Sequence, residues 1–297
     1  MKLGMKISIG FGLLILIACS LGGMAVVNMR SVESEATKLA KEYMPEVGMA
    51  AGVERNTLQT MMFMRLYGVT EDKKQYETGL RFLGEVKRNL AEAKALSDKY
   101  PDLVKLKENV AKTQTRVAEY EKLLQETSNR VESMGAARRV MDSAAADFVK
   151  NTDEYQNSQQ AQLVEEISKG ASAEVLKQRA ERLDSSTDII QSGTAIRIGN
   201  LNGQLYKDPR RLEEVLKNFA SLEQLVDTQR AKTKDETNLR QLSAIREATQ
   251  KYRLAVSDYA ENLKGLQAVG EKRVETADAV QKMAEESAQA GIGETQT

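Results

Sequence analysis

The chain of 297 residues is 41% hydrophobic but only 5% aromatic, with no tryptophan and three prolines, and its long runs rich in Ala, Glu, Lys, Leu, Arg and Gln describe an elongated all-helical protein. Its 43 basic and 43 acidic side chains are intermixed, for a net charge of zero, so nucleic acid is not expected as a partner. Histidine is absent and Cys19 is the single cysteine, which removes the commonest general base, the usual zinc ligands and any disulfide framework; with no G-x-S-x-G, P-loop or G-x-G-x-x-G motif either, no catalysis, cofactor or metal is expected.

Lys2 and Lys6 precede a run over residues 7–27 without a charged side chain, long enough at ~1.5 Å per residue to cross ~30 Å of hydrocarbon. Lysines on its N-terminal side place that end, residues 1–6, in the cytoplasm. A cleaved signal peptide, or a lipoprotein signal ending at Cys19, would each expect the apolar core to stop near its cleavage site. Here it continues through Leu21 to Val27, which favours a membrane-spanning helix.

The amphipathic pattern that follows predicts a helix over 28–69, with a kink or break at Pro45. Thr70-Glu71-Asp72 makes a turn, a second helix covers 73–99, and Tyr100-Pro101-Asp102 restarts the chain. The third helix, 103–168, is the longest. Stepping by seven from Leu103 gives Val110, Val117, Leu124, Val131, Arg138 and Ala145, and the positions three further on run from Leu106 through Thr113, Tyr120, Thr127, Met134 and Met141 to Phe148. That is a sustained seam of coiled-coil type. Lys169-Gly170-Ala171 breaks it, Ser172 caps a fourth helix running to residue 206, Asp208-Pro209 opens a fifth that ends near 234–238, and a sixth covers 239–290.

The halves repeat weakly. The turn at 70–72, followed by Tyr76, Leu80, Leu83 and Val86, parallels Lys207-Asp208-Pro209 followed by Leu212, Leu216, Phe219 and Leu222. The last helix repeats the third, with Leu242, Thr249, Val256 and Leu263 on one seam position and Ile245, Tyr252, Tyr259, Leu266 and Arg273 on the other, so Gly270-x-x-Arg273 mirrors Gly135-x-x-Arg138. At ~1.5 Å per residue the second and fifth helices are too short to accompany the two longest, so two antiparallel four-helix bundles are expected to stack. The lower would hold about 28–133 plus 265–291, the upper about 134–264, with 292–297 a tail before a second span that the chain does not include.

Charged residues on a packed seam need partners. Arg138 and Arg197 in the upper bundle, and Arg55 and Arg273 in the lower, are expected to face inward at similar heights, Arg55 on the heptad Leu58, Met62, Arg65, Val69 and Arg197 on Leu183, Thr187, Ile190, Thr194, Leu201. Two inward arginines with hydroxyls such as Thr194 or Tyr206 nearby would suit bidentate capture of a small carboxylate. The competing reading is that each arginine pairs with an acidic side chain of a neighbouring helix. Met61, Met62 and Met64 read as flexible core filler.

The opening MKLGMKISIGFGLL, the apolar span and the following Tyr43-Met44-Pro45 resemble the start of bacterial methyl-accepting chemotaxis proteins. The two bundles resemble the helical bimodular sensor domain of that family, which some sensor histidine kinases share; the likeness covers essentially the whole chain and includes the degenerate turn from Arg65 to Asp72. It implies a periplasmic, homodimeric, ligand-binding domain without enzymatic activity, taking small organic acids in one or both bundles through Arg55 and Arg273 below and Arg138 and Arg197 above, with Arg65 a further candidate. A receptor of this kind also needs a second spanning helix, a HAMP linker and a cytoplasmic coiled coil. The chain is therefore expected to be the anchored sensor portion of a longer receptor or a truncated product, signalling by a small helix displacement. Two rivals are the sensor domain of a histidine kinase and a membrane-anchored spacer or adaptor whose arginines are all internally paired.

Overall fold

In the computed structural model the described residues are 3–294; Met1 and Lys2, the side chains of Met5, Lys6, Ser8 and Glu294, and 295–297 of the expected tail lie outside them. The first helix, α1 (Leu3–Lys38), carries the apolar run. Its 18-residue window has a mean hydropathy of 2.3 and no buried residue, and Leu13, Leu14, Leu16, Ile17 and Leu21 all face outward. It is the one helix among the described residues that is long and apolar enough to cross a membrane.

The break expected at Pro45 is a widening rather than a bend. A π-helical turn, Leu39–Tyr43, joins α1 to α2 (Met44–Thr70), and the Met44 N–H donates to the Leu39 carbonyl. Pro45 lacks an N–H and its ring would collide with the carbonyl four residues back; one extra residue in the preceding turn relieves both problems.

The remaining helices follow the predicted boundaries closely: α3 (Lys73–Lys99), α4 (Val104–Ser168), α5 (Ala173–Leu205), α6 (Pro209–Lys232) and α7 (Glu236–Glu294). Ser172 caps α5 by accepting from the Val175 N–H, and Gly170 takes the left-handed conformation that closes α4, with φ of 69°. No strand occurs among the described residues.

The repeat is borne out at atomic detail in its two turns. Glu71 and Lys207 are the two non-glycine residues with positive φ among the described residues, at 59° and 48°. Each is followed by an aspartate N-cap: Asp72 accepts from the Lys74 N–H and Asp208 from the Arg210 N–H, both at 3.0 Å. The paired positions Leu83 and Phe219, and Val86 and Leu222, are all buried. Packing across each turn uses a small residue against a large one, but on opposite partners. Gly79 on α3 lies under Met64 of α2, whereas Gly199 on α5 receives Val215, the counterpart of Gly79.

The chain divides into two compact units, Met1–Lys122 with Arg273–Thr297, and Leu123–Lys272. The first unit contains an antiparallel four-helix bundle of α2, α3, the start of α4 and the end of α7. Side chains of all four helices, including Val53, Leu90, Val110 and Ala284, surround a void of only about 20 Å³. The second unit bundles α5 and α6 with the other parts of α4 and α7. The α4 seam is buried from Leu103 to Met141 except at half-buried Arg138, and the α7 seam from Leu242 to Ala284 except at Gly270. Removing either aspartate cap, by Asp72→Ala or Asp208→Ala, should lower stability by about 1 kcal/mol. Urea unfolding followed by helical circular dichroism checks this, and the cap-preserving Asp→Asn changes should restore most of the loss.

Candidate functional site

A cavity of about 310 Å³ opens in the second unit between α4, α5, α6 and α7, a volume in the range of small-molecule sites. The repeat shows how the two units differ in side-chain size along these helices. Where α2 carries Thr57, Met64 and Tyr67 on its buried face, the corresponding positions of α5 are Gly193, Asn200 and Gly203. Val215 and Ile196 are larger than their counterparts Gly79 and Thr60, and Val215 and Leu212 take the room beside Gly199 and Gly203. Gly193 also lets α5 sit tightly on Phe148, whose ring occupies the place that a Cβ would need.

The wall is more apolar than its residue types suggest. Thr152, Thr194 and Thr249 line the cavity, but each hydroxyl donates to its own helix: Thr152 to the Phe148 carbonyl at 2.9 Å, Thr194 to Ile190 at 2.8 Å and Thr249 to Ile245 at 2.8 Å. The methyl groups are left as the accessible surface. Phe219 and Tyr252 form an aromatic floor with ring centroids 5.9 Å apart and tilted by 37°. The Tyr252 hydroxyl accepts from Asn200 Nδ2 at 2.8 Å, while Asn200 Oδ1 is buried without a partner. Burial raises the pKa of Tyr252, against the hydrogen bond from Asn200 and the positive charge of Arg197.

Two charged side chains lie on the exposed edge of this cavity, Arg197 on α5 and Asp153 on α4. Neither makes a hydrogen bond or ion pair to any described residue. The arrangement offers one free cation and one free anion over a hydrophobic, partly aromatic interior.

The other candidate arginines are placed differently. Arg138 is half-buried in the second unit but does not line the cavity. Its Nε donates to Gln204 Oε1 at 3.2 Å, its Nη2 to the Tyr259 hydroxyl at 3.1 Å, and its guanidinium lies 5.1 Å from the centre of the Tyr259 ring. Gln204 is seven residues, about 10 Å, along α5 from Arg197. The expected pair above therefore shares a unit without sharing a pocket. Tyr206 does not join it either, being exposed beneath the Arg211 guanidinium.

In the first unit Arg273 is buried as expected, with Nε unpartnered. Burial lowers its proton affinity against the opposing influence of Tyr120. Arg55 and Arg65 correct the sequence reading: both are exposed, as are Leu58, Met62 and Val69 of the same heptad. The buried face of α2 is Val53, Asn56, Thr57, Thr60, Met64 and Tyr67. Thr57 and Thr60 satisfy their hydroxyls on the Val53 and Asn56 carbonyls, so two residues that hydropathy assigns to solvent are buried at low cost. The same one-position error applies to α5. Its buried line runs through Ser186, Ile189, Ile196, Asn200 and Gly203, which puts Arg197 at the edge rather than inside. Of the three methionines read as filler, Met64 is fully buried and Met62 is exposed.

Sequence reasoning placed Phe148 and Tyr252 on the seams but missed their joint role as a cavity wall, and it missed Asp153 and Asn200 altogether. A signal for the wall was present in the repeat, where Gly193 stands against Thr57.

A four-helix bundle that encloses a ligand-sized space, in a chain with a membrane-length helix, has the build of a sensory module. Residues 1–174 match the family described as a four helix bundle sensory module for signal transduction. The match covers more than half of the chain, and the protein belongs to that family, the sensor domains of chemoreceptor signal transduction. No match is found among curated proteins.

Tyr120 offers a check on the buried face around Arg273. Burial pushes its hydroxyl from the ordinary value of 10.0 up to about 12. A pKa raised in the folded state means that the associated stability is complete below pH 10 and is lost as the pH rises from about 10 to about 12, a loss on the order of 2 kcal/mol. Chemical denaturation across that window should show the decline, and Tyr120→Phe should flatten it.

Proposed function

We propose that this chain is the ligand-binding sensor portion of a bacterial transmembrane chemoreceptor of the helical bimodular type, and that it recognises a small organic acid. The acid enters the cavity of the second unit and places its carboxylate on Arg197. The observation that carries this reading is an arginine without an internal partner at the edge of a cavity of about 310 Å³. A spacer or adaptor would have no use for such a space, and would pair its arginines as Arg138 is paired.

The ligand acts by differential affinity. It touches α4, α5, α6 and α7 together, so it favours whichever offset of these helices best closes the walls around it, and α7 carries that offset along its length. Arg138 helps to set the starting offset by tying α4 to α5 and α7. No chemistry is performed on the ligand.

The membrane and a second copy of the chain are the other partners. Lysines ahead of the span keep that end in the cytoplasm and put residues 28–297 in the periplasm. Leu58, Met62 and Val69 form an exposed apolar line on α2, edged by Arg55 and Arg65, on the helix that continues the spanning segment. Two copies anchored side by side would cover this line with one another, which makes Arg55 and Arg65 interface edges rather than ligand residues.

Binding is tested by calorimetry and thermal shift on the full chain in nanodiscs against a panel of small carboxylates. A ligand at a hundred times its dissociation constant should add about 2.7 kcal/mol of stability. Arg197→Ala should abolish the effect while Arg55→Ala and Arg65→Ala keep it; a panel with no binder at all would remove the sensor reading of this cavity. The dimer and its side of the membrane are tested together by Met62→Cys in a Cys19→Ser background. In intact cells a membrane-impermeant oxidant should cross-link two copies at residue 62 but not at Lys94→Cys on exposed α3, and the absence of any product at 62 would reject the arrangement.

A further inference from the structure

We infer that the acid recognised is a monocarboxylate with an aromatic body, and that the site discriminates against di- and tricarboxylates. The inference rests on the reading of the second-unit cavity as the ligand site and specifies what that site selects.

Three features of the lining lead to it. The first is charge. Arg197 is the sole basic residue on the wall, so one carboxylate can be neutralised and a second cannot. Asp153 shares the wall and has no internal partner, so a second carboxylate placed toward it would meet an uncompensated negative charge, a repulsion that solvent at the exposed edge weakens without reversing. An acid with two or three carboxylates therefore lacks a partner for its additional charge and is repelled as well.

The second feature is surface chemistry. The threonines that might have bonded a polyhydroxylated acid have donated their hydroxyl protons to their own helices and present methyl groups instead. A polar ligand body would leave its hydrogen-bonding groups unmade, which costs more than an apolar body does. The third feature is shape. Phe148, Phe219 and Tyr252 contribute three rings to one wall, with Phe219 and Tyr252 already tilted against each other. A flat ring inserted beside them makes offset or edge-to-face contacts, and one six-membered ring with a short carboxylate arm fits within about 310 Å³. Arg197, which has no ion pair to hold it inward, is available at the edge to take the carboxylate in a bidentate fashion.

Calorimetry on the full chain in nanodiscs, with empty nanodiscs as the reference, provides the test. The probes are benzoate, phenylacetate, benzamide, succinate and citrate. Benzoate or phenylacetate should bind at least tenfold more tightly than succinate or citrate, and benzamide, which keeps the ring without the charge, should lose at least tenfold. Arg197→Ala should abolish binding of the aromatic acids. Asp153→Asn should narrow the gap between phenylacetate and succinate severalfold; both substitutions are at exposed positions and leave the core untouched. If succinate or citrate binds more tightly than either aromatic acid, and does so through Arg197, the aromatic assignment is overturned while the organic-acid sensor stands. If benzamide equals benzoate, the carboxylate is not what is read and the inference fails. If none of the acids binds, the ligand-site reading falls and the inference falls with it.

Discussion

The antiparallel register of α4 against α7 is the constraint on which the rest depends. These helices contribute to both units, and their seams are buried almost without interruption. In the first unit the register brings Asn109 to Ser287 and Thr113 to Met283; in the second it brings Arg138 to Tyr259. A seven-residue apolar repeat on both partners fixes that register, since sliding by one position would carry charged outer residues into both cores at several kcal/mol each. The shorter helices α2 and α3, and α5 and α6, then complete the bundles.

Within this frame the two halves diverged by exchanging volume. Both retain the left-handed residue and aspartate cap at the turn, which set where the short hairpin reverses. They differ in what the hairpin fills. The first unit buries Met64 and Tyr67, and its void beside Val53 and Leu90 is only about 20 Å³, room for little more than a water molecule. The second has glycine or asparagine at the matching places and retains a cavity.

The buried threonines deserve the same physical reading in both units. Their hydroxyls bond to the carbonyl four residues back, at Thr57, Thr60, Thr113, Thr127, Thr152 and Thr249. Each such residue is polar in the sequence and effectively apolar in the folded chain. This satisfies the buried hydroxyls and gives the cavity a more hydrophobic lining. It also shows why the heptad through Arg55, Leu58, Met62 and Arg65 is not the buried face of α2, which runs instead through Thr57 and Thr60.

What the sequence by itself determined was the helical class, the membrane-length apolar helix, six of the helix boundaries to within a few residues, both long seams and the repeated turn. Each follows from local chemistry: capping aspartates and serine, prolines that cannot continue a helix, and heptads whose period survives over many turns. The inward positions of Arg273, which is buried, and Arg138, which is half-buried, were legible for the same reason, lying on strong seams. Only the tertiary structure decided which face of α2 and α5 turns inward, because their amphipathicity is weak and the outcome depends on hydroxyls finding carbonyls in their own helix. It alone decided that Arg138 is bound by Gln204 and Tyr259 while Arg197 is not bound at all. And it alone decided that a cavity lies beside α5, since the sequence does not say which neighbouring side chains, such as Phe148 at Gly193 and Leu212 at Gly203, take up the room that a glycine leaves.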